Sequence, residues 1–192
     1  FFSVLLAFIF IFFVCGDEVA RAQTPSYTVG GTVSGLATGK SLVLRNNSSS
    51  LIITSNGGFT FPAQNQGTSW SVTVGIQPSG QLCTVVSNAT GSNISASVTN
   101  VTVSCVNAYS ISGVITGLGA SGLVLRLNNS SNIIVASGAT SFKFSTNLIT
   151  GSQYSVSVAI QPAGYKCLVN NGSGAINSTN ITNVGVSCAP GY

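Results

Sequence analysis

The residues most able to do chemistry in this chain are its cysteines. Cys83 and Cys105 stand 22 positions apart, and Cys167 and Cys188 stand 21 apart. Thiols so placed can bridge, bind a metal as thiolates or act as a redox pair. No C-x-x-C occurs, and the four divide evenly between two copies of one repeated stretch, which favours a disulfide within each copy. Closing a loop of that size stabilises by about 3 kcal/mol, and the bridges imply an oxidising compartment. The fifth cysteine, Cys15, lies in a leading apolar stretch behind Val14, where a lipid-modified cysteine wants Gly or Ala.

The second chemical fact is an absence. Of 192 residues only Asp17 and Glu18 are acids, and there is no histidine. Beyond residue 22 the charges are Lys40, Arg45, Arg126, Lys143 and Lys166. General acid–base work and hydrolytic triads need His, Asp or Glu beside the reacting group, so catalysis is not expected. Calcium takes carboxylate oxygens and zinc takes thiolate, imidazole or carboxylate, so no metal or other cofactor is expected either. The net charge of +4 is spread thinly, without the basic run that nucleic acid would require. With no carboxylate to protonate, acid should break no side-chain salt bridge in the region beyond residue 22.

Asn-x-Ser/Thr occurs at Asn46, Asn47, Asn88, Asn93, Asn100, Asn128, Asn129, Asn171, Asn177 and Asn180. Asn46/Asn47 and Asn128/Asn129 fall at the same place in the two copies, which makes that hairpin the best glycan acceptor; "RNNSSS" and "LNNSSN" are equally ordinary turn chemistry. Arg45 and Arg126 also recur and read either as carbonyl or glycan ligands or as solvated strand ends.

The elements that position these residues are repeated strands. "WSVTVGIQPSGQLC" from Trp70 returns as "YSVSVAIQPAGYKC" from Tyr154. Trp70, Val72, Val74 and Ile76 alternate with small or polar residues, as do Tyr154, Val156, Val158 and Ile160, the period of a half-buried strand. Each run ends at a turn with Pro78 or Pro162 as second residue and Gly80 or Gly164 as fourth. Seven short strands per copy suggest a sandwich. In the first they are Tyr27–Gly35, Ser41–Arg45, Ser50–Thr54, Gly58–Phe61, Ser69–Ile76, Leu82–Val86 and Val101–Val106. Leu42, Leu44, Phe59 and Phe61 join the alternating residues as the expected core, matched by Leu123, Leu125, Phe142 and Phe144. The chain divides into an apolar segment 1–22, a first domain 23–106 and a second 107–192. Only "VNA" (Val106–Ala108) links the domains, which predicts a nearly rigid rod.

The leading run "FFSVLLAFIFIFFV" has two readings. Followed by Ala20-Arg21-Ala22, it is the apolar core and cleavage site of a secretory signal. Retained, it serves as an assembly strand, with Val4, Leu5, Leu6, Phe8, Phe10 and Phe12 inserted into a neighbouring subunit: extended, 14 residues reach about 46 Å. As a helix they rise only about 21 Å, too short for a stable membrane span.

"YTVGGTVSGLATGKSLVLRNN" and "YSISGVITGLGASGLVLRLNN", with "VTVGIQPSGQLC" and "TNVTVSC", resemble the tandem Ig-like repeats of bacterial secreted and cell-surface proteins. The resemblance implies an all-β chain of two tandem Ig-like β-sandwich domains behind an apolar N-terminal segment, acting outside the cell as a structural or adhesive module. Two functions follow as expectations. The first is a structural subunit of an extracellular bacterial filament, a homopolymer growing head to tail by inserting an N-terminal strand, either the apolar run or Gln23–Gly35, into the next copy. The second is a monomeric carbohydrate-binding or adhesin module with glycans as partners. It needs an exposed aromatic, and only Tyr165 and Tyr192 fall off the inward faces.

Overall fold

Alternating branched and aromatic residues between Gly, Asn and Pro clusters leave this chain only extended structure. The computed structural model describes residues 23–191, and every regular element among them is a strand. The first half contains β1 (Ser26–Tyr27), β2 (Val29–Ser34), β3 (Leu42–Asn46), β4 (Ser49–Ile53), β5 (Gly57–Thr60), β6 (Gln64–Asn65), β7 (Trp70–Ile76), β8 (Gln81–Ser87) and β9 (Thr90–Gly91). Next comes β10, Val98–Thr116. The second half contains β11 (Leu123–Leu127), β12 (Ser131–Val135), β13 (Ser141–Ile149), β14 (Gln153–Ile160), β15 (Tyr165–Asn170), β16 (Ser173–Ala175) and β17 (Ile181–Pro190).

Each half packs two layers around its own core. One layer is a four-stranded set, β4-β3-β7-β9 in the first half and β12-β11-β14-β16 in the second. The other is built on β10, which pairs with β2 and β8 along its first part and with β13 and β17 along its second. Leu42, Leu44 and Val72 from one layer meet Val29, Val33, Phe59, Val101 and Val103 from the other. Leu123, Leu125 and Val156 meet Ile111, Phe142, Val184 and Val186 in the same way. Edge-to-face pairs, Phe59 on Phe61 at 5.9 Å and Phe142 on Phe144 at 5.8 Å, fill equivalent places.

Val106, Asn107 and Ala108, the short connection between the halves, continue the 19-residue strand β10, and its ladder passes from first-half to second-half partners between Asn107 and Ala108. Asn107 stays paired to Gln81, Ala108 already pairs with Ile149, and the Ala108 N–H donates to the Gly80 carbonyl at 2.9 Å. Every junction residue thus finds a ladder partner, and the backbone has no reason to leave the sheet.

Two expected core residues are corrected. Ile76 and Ile160 are each 58% exposed. Along β7, Val74 faces Leu44 but Ile76 faces Val43, two residues against one, and β14 repeats this with Val158 on Leu125 and Ile160 on Val124. These are β-bulges, and the inserted residue reverses which side the next side chain takes. Val74, Val158 and Trp70 are half-buried, whereas Tyr154 is buried.

Candidate functional site

The repeated Q-P-x-G-x-x-C motif is a backbone clamp. Gln77 Oε1 accepts the Cys83 N–H at 2.7 Å while its Nε2 donates to the Cys83 carbonyl at 2.8 Å. Gln161 treats Cys167 identically, at 2.7 and 3.0 Å. One side-chain amide thereby stands in for a missing strand residue and satisfies both backbone groups of the cysteine. The turn between them is displaced by one residue from the expected position. The Gln81 N–H donates to the Pro78 carbonyl, and Tyr165 to that of Pro162, so proline is the first residue and Gly80 or Gly164 the third, at φ of 75° and 70°. A third turn position with positive φ is where glycine is required.

The clamped cysteines bridge directly across a ladder. Cys83 is register partner of Cys105 on β10, and Cys167 of Cys188 on β17, with S–S distances of 2.01 and 2.04 Å. Cys83 and Cys167 are buried, which makes both bridges part of the cores.

Three of the four hairpin asparagines, Asn46, Asn47 and Asn128, hydrogen-bond within the fold. Asn46 is only 4% exposed, and its Nδ2 donates to Gln64 Oε1 at 3.1 Å, so it presents no nitrogen to a glycan-transferring enzyme in the folded protein. Asn47 and Asn128 hold φ of 51° and 49°, and their Nδ2 atoms donate to the carbonyls of Ser69 and Gln153 at 2.9 and 3.0 Å. Asn129 is exposed, also in the left-handed region at φ 57°.

Exposed apolar side chains occur on both layers, Val86, Val114 and Leu168 on the one built on β10, and on the four-stranded sets they line up in rows. Ile52, Val43 and Ile76 lie opposite one another across β4, β3 and β7, and Ile134, Val124 and Ile160 do so across β12, β11 and β14. The outermost are the most open, Ile52 at 68% and Ile134 at 84%. Ile76 and Ile160 belong to these rows only because of the bulges. Both rows end on an edge strand, β4 or β12, that has no charge, no proline and no break in register. Thr146 touches the start of β12 through a 3.0 Å hydrogen bond to Ser131. Lys143 and Lys166, by contrast, stand on β13 and β15, strands of the other layer, where a charge guards against stray pairing.

The assembly-strand residues Val4, Leu5, Leu6, Phe8, Phe10 and Phe12 lie outside the described residues. In the alternative donor, Gln23–Gly35, β2 is already paired within the chain, to β5 on one side and β10 on the other, and Val29 is fully buried. No helix among the described residues is long and apolar enough to cross a membrane.

No family model and no curated protein matches the chain. Among solved structures it is similar to the shaft pilin SpaA of Lactobacillus rhamnosus GG, at 12% identity over 88% of this chain and 99% of that one, with a TM-score of 0.34. A streptococcal ancillary pilin gives 12% identity over 83% and 62%, with a TM-score of 0.37. The pilus adhesin SpaC of L. rhamnosus GG gives 12% over 85% and 31%, with a TM-score of 0.35. All three scores are below 0.5.

Proposed function

We propose that this protein is a structural subunit of an extracellular filament, with no reaction to catalyse. The observation that carries the reading is the pair of uncharged edges, β4 and β12, each at the end of a solvent-facing isoleucine row. An edge strand exposes unpaired N–H and C=O groups, and soluble proteins ordinarily blunt it with lysine, proline or a bulge. Neither edge strand here contains a lysine, a proline or a bulge. The finer reading is that the secreted protein forms a homopolymer whose copies add end to end, the apolar run from Val4 to Phe12 supplying a strand to an edge of the next copy. Its side chains would extend the Ile52 or Ile134 row there. The two halves are read as Ig-like sandwiches, and β10, common to both, makes the subunit stiff.

Electron microscopy and light scattering of the purified full chain test this. Regular fibres are expected from the full chain, and dispersed particles from a variant lacking residues 1–22. Ile52→Lys combined with Ile134→Lys should cut fibre yield at least about tenfold with the melting temperature unchanged, because both side chains are exposed. A full chain that stays monomeric at high concentration overturns the reading. Fibres that survive loss of residues 1–22 overturn strand donation alone.

A further inference from the structure

A cleft of about 450 Å³ opens beside β7 in the first half, bounded by Trp70, Asn88, Ser92, Asn93, Ser97 and Asn100 among others. Its volume lies in the range of small-molecule sites. Every side chain named is either an aromatic ring, an amide or a hydroxyl, and no charged residue lines the cleft. The half-buried Trp70 indole donates from Nε1 to the Asn88 carbonyl at 3.4 Å, so its polar edge is engaged and ring carbon is what remains to meet a ligand. Gly91, the register partner of Trp70, lies so close that a Cβ there would overlap the ring, which fixes the indole from that side. Asn88 is held in turn, its Nδ2 donating to the Asn100 carbonyl at 3.0 Å and its backbone at φ 50°. Trp70 and Asn88 are therefore held before any ligand arrives, which lowers the ordering cost of binding.

An aromatic ring set among fixed amides and hydroxyls, without a formal charge, matches a polyhydroxylated neutral molecule: apolar C–H faces lie on the ring while hydroxyls exchange hydrogen bonds with the rim. We propose that this cleft binds a short neutral saccharide, with Trp70 as the platform. The second half has no equivalent platform. Tyr154 takes the place of Trp70 and is only 7% exposed, so among the described residues the first half alone has a platform at this position. The inference goes beyond the filament reading and does not depend on it.

Trp70 is the only tryptophan in the chain, so fluorescence excited selectively at tryptophan, which leaves the tyrosines silent, reports on this cleft alone. The full chain is titrated with neutral disaccharides of glucose, galactose, mannose and N-acetylglucosamine, and at least one should change the emission saturably, with a Kd in the range of about 0.1–10 mM. Ala96→Arg places a long side chain into the cleft from an exposed position while leaving Trp70 intact, and should abolish the change. Trp70→Tyr, which imitates the second half, should weaken calorimetrically measured binding of the same disaccharide at least about tenfold. No saturable response to any of the four sugar classes overturns the proposal, as does unchanged affinity in either variant.

Discussion

The two halves solve one folding problem with the same internal parts and different surfaces. Both have the glutamine clamp, the cross-strand disulfide, the bulge and the left-handed asparagine. They part where side chains reach solvent or fill a peripheral gap. Gly75 lets Arg45 lie over the first bulge, where a Cβ would come 2.8 Å from Arg45 Nε. Ala159 occupies that place in the second half, and Arg126 turns the other way to donate to Asn132 at 3.0 Å. Gln81 ties down the loop after β2 by hydrogen bonds to Gly35 and Ala37, while Tyr165 packs its ring against Gly119 instead. Trp70 borders a cleft and Tyr154 is buried. What the halves share holds the backbone; what distinguishes them is available for recognition.

The sharpest way to break this comparison is to remove the bridges. Cys83→Ser with Cys105→Ser, and Cys167→Ser with Cys188→Ser, should each cost about 3 kcal/mol, because the closed loops are nearly equal in length. In a unit of this size that lowers the melting temperature by about 12–20 °C in scanning calorimetry. Losses differing by more than about 1 kcal/mol would show that the halves do not depend alike on a shared scaffold.

A smaller effect should separate the halves. Gly91 faces Trp70 and Gly174 faces Tyr154 across their ladders. An added Cβ at 91 would overlap the indole, whereas at 174 it would stand 3.0 Å from the Tyr154 ring. Gly91→Ala should therefore destabilise by about 2 kcal/mol and Gly174→Ala by less than about 1 kcal/mol, read from denaturant midpoints. Equal losses would mean that the two aromatics sit on their glycines in the same way, and that the first-half cleft is not set apart by its ring.

Much of the architecture is legible in side-chain period and cysteine spacing, because both act locally. Leu42, Leu44, Phe59 and Phe61 point inward as their alternation demands. Ile76 misleads because "WSVTVGI" keeps perfect alternation while the backbone inserts a residue; only the small Gly75 hints at a bulge. That Val106-Asn107-Ala108 runs on as paired strand is not legible in its length, because the partners that keep it in the sheet, Gln81 and Ile149, are distant in sequence. Gln77 was visible as part of a repeated motif, but nothing in a pattern says that its amide will pair with a backbone six residues on. The period assigns Trp70 inward, and it does pack half-buried against the first-half core, but its place on a cleft rim depends on Gly91 and on residues 92–97, which carry no periodic signal.

The smallest expected effect is the response to acid, and here the halves should not differ at all. Stability changes with pH only where folded and unfolded states bind different numbers of protons. Between residues 23 and 192 no side chain is Asp, Glu or His. Neither state of this region therefore takes up side-chain protons as pH falls from 7 to 2.5, and the slope is zero except for Asp17, Glu18 and the chain ends. The repulsion among Lys40 and Arg45 in one half, and Arg126, Lys143 and Lys166 in the other, is likewise constant over that range. The melting temperature should move by less than about 3 °C between those pH values. A fall of tens of degrees, or a shift confined to one half, would mean that the two carboxylates ahead of residue 23 contribute to holding the fold.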